Sequence, residues 1–293
     1  MLDFRVDTFL AVCRYMNFTK AASELHITQP AVSHHIHYLE ERYGVKLFEY
    51  NGKKVGLTEA GKAFLSAATT MKADELHLKK IMGQQSGKGR SLVFGATMTI
   101  GEYVMPQALI RLLRVYPETA VRMVVGDTRE LFTKLNDGEI EFALVEGFFQ
   151  KKEYDFLVFA SEPFAAVCGP DYSFQRAVSK LEDLLLERLL IREPGSGTRY
   201  VFERYLEGKN LLLQDFSNIM EISNIGAMKQ MAAKGQGIAF LYEAAVKEEI
   251  NRGVLKRIEL EDFHLTHDFT FIWRKGSIYG TYYQELFDIL HGE

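Results

Sequence analysis

Apolar positions recur at helical spacing through the first ninety residues, and after residue 91 they gather in short runs between amphipathic stretches. Phe4, Phe9, Leu10, Val12 and Cys13 predict a helix over about 2–14. Asn17-Phe18-Thr19 breaks it, and Thr19 is the expected N-cap of a second helix over 20–25, whose Ala21-Ala22 pair permits close packing. His26-Ile27-Thr28 is the turn. Thr28 then caps a third helix with Pro30 in its first turn, where a missing N–H costs nothing. Ala31, Val32, Ile36, Leu39 and Tyr43 form the expected inward stripe, while Gln29, Ser33, His34 and His37 share another face that begins at the helix N-terminus. Gly44 ends the helix. Val45–Phe48 and Lys53–Leu57 read as short extended segments around an Asn51-Gly52 turn.

From Thr58 a long helix is expected, with Glu59 in its acid-favouring first turn. Leu57, Ala60, Phe64, Ala67, Met71, Leu78, Ile81 and Gln85 follow three- and four-residue steps interrupted by Asp74, a heptad-like seam. A solitary helix has nowhere in so small a head to bury that seam, so a partner helix from a second subunit is expected; packing on the chain's own body is the alternative. Ser86-Gly87-Lys88-Gly89-Arg90 reads as a hinge. Beyond it, strand runs alternate with helical stretches: 91–96, 120–125, 141–145, 164–168, 189–191, 219–222, 238–241 and 269–273 against helices at 103–115, 127–135, 199–206, 225–234 and 282–290. Such βαβ alternation implies an α/β domain with a mostly parallel sheet.

Charge sharpens this division. Residues 1–90 hold 13 Lys/Arg and 9 Asp/Glu, a net +4, whereas the remaining 203 hold 22 and 30, a net −8. A weakly basic head on an acidic body suits a polyanion partner. No apolar run approaches the ~20 residues of a membrane span, so no membrane partner is expected. The opening Met-Leu-Asp-Phe-Arg-Val-Asp lacks the layout of a signal peptide. Cys13 and Cys168 have neither a disulfide framework nor metal spacing, and the expected setting is the reducing cytoplasm.

The head's polar face carries chemistry suited to double-stranded DNA. Gln reads adenine bidentately, Ser and His reach bases or backbone oxygens, and a helix N-terminus favours phosphate. Thr28, Gln29, Pro30, Ser33, His34 and His37, with Lys53 and Lys54 near the tip of a two-stranded wing, are the candidate DNA contacts of a winged helix-turn-helix. His34 and His37 have no carboxylate or cysteine partner at useful spacing, so neither a metal nor a cofactor is expected. In the body, ligands of open α/β sheets bind beyond the C-terminal ends of strands. That rule selects Thr97, Met98 and Thr99 after the first strand, Glu146 closing the third, Ser196 and Thr198 in Arg192-Glu-Pro-Gly-Ser-Gly-Thr-Arg199, and Asn224. Several helix N-termini facing one cleft would favour a small anion. Ser, Thr and Asn at these places also serve as ordinary caps, and Glu146 would repel an anion unless it bonds a donor on the ligand or neutralises Arg192.

Thr19 to Gly61, with Ala21-Ala22, Thr28-Gln29-Pro30-Ala31-Val32-Ser33, Leu39-Glu40, Leu47-Phe48 and Leu57-Thr58-Glu59-Ala60-Gly61, resembles the head of a LysR-type transcriptional regulator, and the likeness extends more weakly over the whole chain. The family often has Arg where this chain has Tyr50, and a basic or small polar residue where His34 and His35 sit. DNA binding that depends on pH near neutrality is then expected. The Gly195-Ser196-Gly197 loop resembles that of members governing sulfur assimilation and carbon fixation. The resemblance implies a DNA-binding domain over 1–58, a linker and dimerisation helix with hinge over 59–90, and an effector domain of periplasmic-binding-protein type over 91–293. Its lobes would be 91–161 plus 268–293, and 162–267. It also implies a homodimer or homotetramer, an effector between the lobes and contact with RNA polymerase. The competing functions are weaker. The chain has no P-loop, His-Glu-x-x-His or Gly-x-Ser-x-Gly pattern for an enzyme, and Cys168 has no cysteine partner in the body for redox sensing. A ligand-independent architectural binder would not need a 200-residue body.

Overall fold

The structure is a computed structural model that describes residues 3–52, 54–85, 89–149 and 151–292. These fall into two compact units. The first comprises the described residues of Met1–Lys88 with Leu135–Glu139 and Arg274–Gly280, and the second holds the rest.

In the first unit, α1 (Phe4–Tyr15), α2 (Phe18–Glu24) and α3 (Gln29–Tyr43) pack around Phe9, Val12, Ala21, Ala22, Val32, Ile36 and Leu39. The cap of α2 is Asn17, whose side chain accepts from the Lys20 N–H, and not Thr19. Asn17 holds extended backbone outside the helix, the geometry a cap requires. Thr28 caps α3 as expected, and Gly44 ends it at a left-handed φ of 67°. The inward stripe of α3 differs from the sequence reading: Ala31 is only half-buried and Tyr43 is exposed, while Glu40 is turned in. Two antiparallel strands, β1 (Phe48–Asn51) and β2 (Lys54–Leu57), form the wing with Asn51 opposite Lys54. Lys53 lies outside the described residues.

The long helix α4 (Glu59–Gln85) begins at Thr58, whose Oγ1 accepts from the Gly61 N–H at 2.9 Å. One side of α4 is occupied within this unit. Thr70 Oγ1 donates to the Lys275 carbonyl at 3.1 Å, and Asp74 accepts from Ser277 Oγ at 2.5 Å and the Ile278 N–H at 3.1 Å. Phe64 joins the head core, 4.8 Å edge-on to Phe9. Of the seam residues, Met71 and Leu78 stay 56% and 46% exposed.

The second unit is built on nine strands in the order β4-β3-β5-β11-β6-β9-β7-β8, with β10 beside β6. Its first part runs β3 (Ser91–Ala96), a π-helical turn (Ile100–Val104), α5 (Met105–Val115), β4 (Ala120–Val125), α6 (Thr128–Asn136) and β5 (Ala143–Glu146). A long strand, β6 (Tyr154–Cys168), leads to β7 (Arg188–Ile191), α7 (Gly197–Gly208), β8 (Asn218–Glu221), α8 (Ile225–Ala233), β9 (Ile238–Tyr242), α9 (Glu243–Asn251) and β10 (Lys256–Arg257). Then β11 (Thr266–Arg274) returns to the first half, and α10 (Gly280–His291) closes the chain. Strand β3 is parallel to β4 and β5, and β7 is parallel to β8 and β9, giving two α/β halves. Stacked Phe94, Phe142 and Phe271 fill the first half. Ala165, Leu190, Ile225, Met228, Leu241 and Val246 belong to the core of the second.

Candidate functional site

Two surfaces carry the candidate residues. On the first unit, Thr28 Oγ1 accepts from the Ala31 N–H at 3.3 Å, which fixes the start of α3. Gln29 Nε2 donates to Ser33 Oγ at 2.9 Å, one helical turn on, so this pair is positioned before any partner arrives. Gln29, Pro30, His34 and His37 are exposed, and His37 Nε2 lies 3.1 Å from Glu41 Oε1 one helical turn on, so His37 does have a carboxylate at useful spacing, contrary to the sequence reading. Lys54 is exposed at the start of β2. His35 belongs elsewhere: its Nδ1 meets Thr8 Oγ1 at 3.0 Å and its ring stands edge-on to Phe4. Burial and the Arg5 charge push its pKa down. It therefore holds α3 against α1 and is no part of the exposed face. The buried Glu40 was missed from sequence. Its Oε1 accepts from the Leu47 N–H at 2.9 Å and the Phe48 N–H at 3.5 Å, and its Oε2 from Lys46 Nζ at 2.6 Å. This carboxylate ties α3 to the root of the wing.

The second unit brings together the ends of four strands. Thr97 follows β3 and is 3% exposed, and its Oγ1 has no hydrogen-bond partner. Thr99 Oγ1 lies 3.2 Å from Thr198 Oγ1 at the start of α7. Glu146 ends β5 with 1% exposure; its Oε1 accepts from Thr198 Oγ1 at 3.1 Å and Thr99 Oγ1 at 3.4 Å, and its Oε2 is without a partner. Burial pushes this carboxyl up to about 7 against the pull of Thr198 and the Arg192 charge. Such closeness of β5 and α7 requires Gly197, because a Cβ there would lie 2.5 Å from Glu146 Cγ.

Arg192 and Tyr242 complete the cluster, and neither stood among the sequence candidates. Arg192 follows β7 and pairs with Glu193 through Nε at 2.9 Å and Nη2 at 2.8 Å, so it is not spent on Glu146. Its Nη2 also touches Met98 Sδ at 3.5 Å, and its Nη1 has no partner. Tyr242 ends β9, fully buried, with an unpartnered hydroxyl. Buried polar groups are rarely left unsatisfied. Among the described residues these four atoms, each at or just beyond the end of a strand, are left without a hydrogen-bond partner.

Two candidates act differently. Ser196 is buried, but its Oγ accepts from the Arg199 N–H as the cap of α7. Asn224 is exposed, and its Oδ1 caps α8 through the Ala227 N–H at 2.7 Å, the ordinary role of Asn at a helix start. A separate small space lined by Leu190, Arg192, Thr198, Phe202 and Phe240 amounts to about 10 Å³, room for about one water. A hollow of about 740 Å³ opens instead between Tyr103 and α8, α9 and Arg252. Its inner lysine, Lys229, is already held by Glu249 at 2.6 Å and the Ala245 carbonyl at 2.9 Å.

Comparison with known proteins fits this two-part geometry. Residues 5–62 match the model described as "Bacterial regulatory helix-turn-helix protein, lysR family", and residues 85–293 match "LysR substrate binding domain". The HTH-type transcriptional activator CmpR of Synechocystis sp. is 29% identical over 287 residues, covering 97% of this chain and 93% of that one. Full-length LysG of Corynebacterium glutamicum with bound effector Arg shares the fold at a TM-score of 0.66 and 16% identity, covering 99% and 98%. The regulatory domain of Synechocystis CcmR in complex with 2-PG does so at 0.60 and 20%, covering 69% and 96%. The matched models and CmpR describe transcriptional regulators and not enzymes. With one model on the three-helix head and the other on everything from residue 85 onward, the chain belongs to the LysR family of DNA-binding regulators.

Proposed function

We propose that this protein reads DNA with α3 and the wing, and that a small anion held at the ends of β3, β5, β7 and β9 sets its activity. What supports the effector site is a set of buried atoms at these strand ends, Thr97 Oγ1, Glu146 Oε2, Arg192 Nη1 and Tyr242 OH, that are without a partner among the described residues, with Arg192 and Tyr242 close enough to Glu146 to act on it electrostatically. Three of these are or can be donors, and Thr99, Thr198 and the start of α7 border them. The bound effector Arg in the LysG structure and the 2-PG in the CcmR complex agree with a small-molecule occupant. The ligand's differential affinity for two arrangements of the halves would shift their populations. On the DNA side, Gln29 and Ser33 read base edges, His34 and His37 reach bases or backbone, and Thr28, Pro30, Lys53 and Lys54 sit near phosphate. A homodimer, or a homotetramer built from it, would occupy two-fold-related half-sites and present a surface to RNA polymerase. Met98, Ser196 and Asn224 support the site by packing and capping.

Two variants test the reading. Gln29→Ala with Ser33→Ala should remove operator preference, worth about 1–3 kcal/mol for a bidentate base contact, while leaving the oligomer intact. Thr97→Ala should leave operator affinity unchanged and abolish the response to effector. Gel-shift titration, with a thermal-shift screen of small anions on the full chain, reads both. A Thr97→Ala protein that still responds normally would refute the effector site.

A further inference from the structure

The effector site contains a carboxyl group that an anion should not tolerate. Glu146 receives two hydroxyl hydrogen bonds on Oε1 and none on Oε2. Among the described residues no cation pairs with it, since the Arg192 guanidinium is turned to Glu193. Around it stand Thr97 and Thr99 beyond β3, Thr198 of α7, Arg192 with Glu193 beyond β7, and Tyr242 of β9, with Glu162 of β6 acting on Tyr242 in turn. On the chain side, His267 Nε2 accepts the Gly147 N–H at 3.1 Å, which keeps that imidazole nitrogen unprotonated. A buried carboxyl in such company gives up its charge before it gives up its place.

We infer that Glu146 takes up one proton as the effector binds, converting the place into an all-donor pocket for an anion that only accepts hydrogen bonds. This rests on the effector site proposed above. The reasoning is electrostatic and geometric. A negative charge beside Thr97, Arg192 and Tyr242 disfavours an ionised Glu146 further, because like charges at short range raise a carboxyl pKa. Once solvent supplies the proton to Oε2, that O–H becomes the fourth donor beside Thr97 Oγ1, Arg192 Nη1 and the Tyr242 hydroxyl. All four then point the same way chemically, toward a sulfate, a carboxylate or a fully ionised phosphate ester. Burial already lifts Glu146 to about 7, so the uptake occurs across the neutral range. Affinity for such an anion is flat below that value and falls as pH rises above it, by up to about tenfold per pH unit for one linked proton.

Sulfate is a suitable probe, since it carries no titrating proton between pH 6 and 8.5. The full chain is titrated with sodium sulfate by calorimetry at constant ionic strength, in buffers of different ionisation heat, as wild type, Glu146→Gln and Thr97→Ala. The expected result for wild type is close to one proton taken up per anion above pH 7, with the stated fall in affinity; for Glu146→Gln it is a flat profile. Wild-type affinity independent of pH, a Glu146→Gln protein that keeps the wild-type slope, or no sulfate binding by wild type at pH 6 would each overturn the inference. Thr97→Ala separates the two levels. If it binds sulfate as wild type does, the effector site itself is misplaced. If it binds more weakly while wild type shows no pH dependence, only the proton linkage fails. The wild-type proton count needs no variant to fold.

Discussion

Glu40 and Glu146 are both carboxylates in apolar surroundings, and their partners set them apart. For Glu40, burial works to raise the pKa, but Lys46 and the Leu47 and Phe48 N–H groups hold it below the usual carboxylate range. For Glu146, burial outweighs the pull of the Thr198 and Thr99 hydrogen bonds and the Arg192 charge, and the group rises to about 7. Their pH signatures are therefore opposite. Glu40 contributes stability above its unfolded value near 4.3, and the contribution is lost as pH falls through its lowered folded value. Glu40→Ala should cost the head about 2–4 kcal/mol at pH 7, because two N–H groups and an ammonium lose their acceptor. The early urea transition of the full chain would show it. Glu146 behaves in reverse: its contribution is full below about pH 4.3 and is lost as pH rises through about 7. Glu146→Gln should then stabilise the effector domain by on the order of 3 kcal/mol at pH 8 and by little at pH 4.5, with thermal melts at both values as the check. A variant equally stable relative to wild type at both pH values would contradict the assignment.

At the scale of elements, the close meeting of β5 and α7 depends on the missing side chain at Gly197. Gly197→Ala places a methyl 2.5 Å from Glu146 Cγ and 2.9 Å from its carbonyl oxygen. Overpacking of this kind costs about 1–3 kcal/mol, and it should hold the two halves apart, leaving DNA binding intact while effector affinity drops at least tenfold by titration. Much of this architecture was legible from sequence because its signals are local. Thr28, Pro30 and Gly44 punctuate α3, and the alternation of strand and helix after residue 91 is plain. Other elements carry no punctuation. The first ten residues of β6 alternate in burial, but Pro163 within the strand argues against reading it through, since proline cannot donate to a ladder. Helix α9 follows β9 with Tyr242 as its cap and no side-chain bond, so nothing marks the boundary. The site was half legible for the same reason. Thr97, Thr99, Glu146 and Thr198 lie where the strand-end rule points, whereas Tyr242 reads as one more apolar strand residue and Arg192 as loop. Only the three-dimensional register brings those two to Glu146.

At the scale of the whole molecule, α4 holds 27 residues and spans about 40 Å at 1.5 Å per residue. Its Ser66, Thr70 and Asp74 side is occupied by Arg274–Ile278 of the same unit, and Met71 and Leu78 are exposed. On that side the alternative expectation, packing on the chain's own residues, is met, and a partner helix is a proposal for the other. Met71→Asp with Leu78→Asp should leave the fold intact, shift the sedimenting mass to that of a single chain and weaken operator affinity at least tenfold. An unchanged mass would place the subunit contact elsewhere. The second unit has its own mechanical character. Its two halves are joined by β6 and β11, neighbours in one sheet that cross from one half to the other without a break. Adjacent strands resist being pulled apart or folded sharply, yet twist with little penalty. A ligand seated at the strand ends would therefore wring this ribbon and not unlatch a door, and the switch would feel it as torque, graded with every contact the ligand gains.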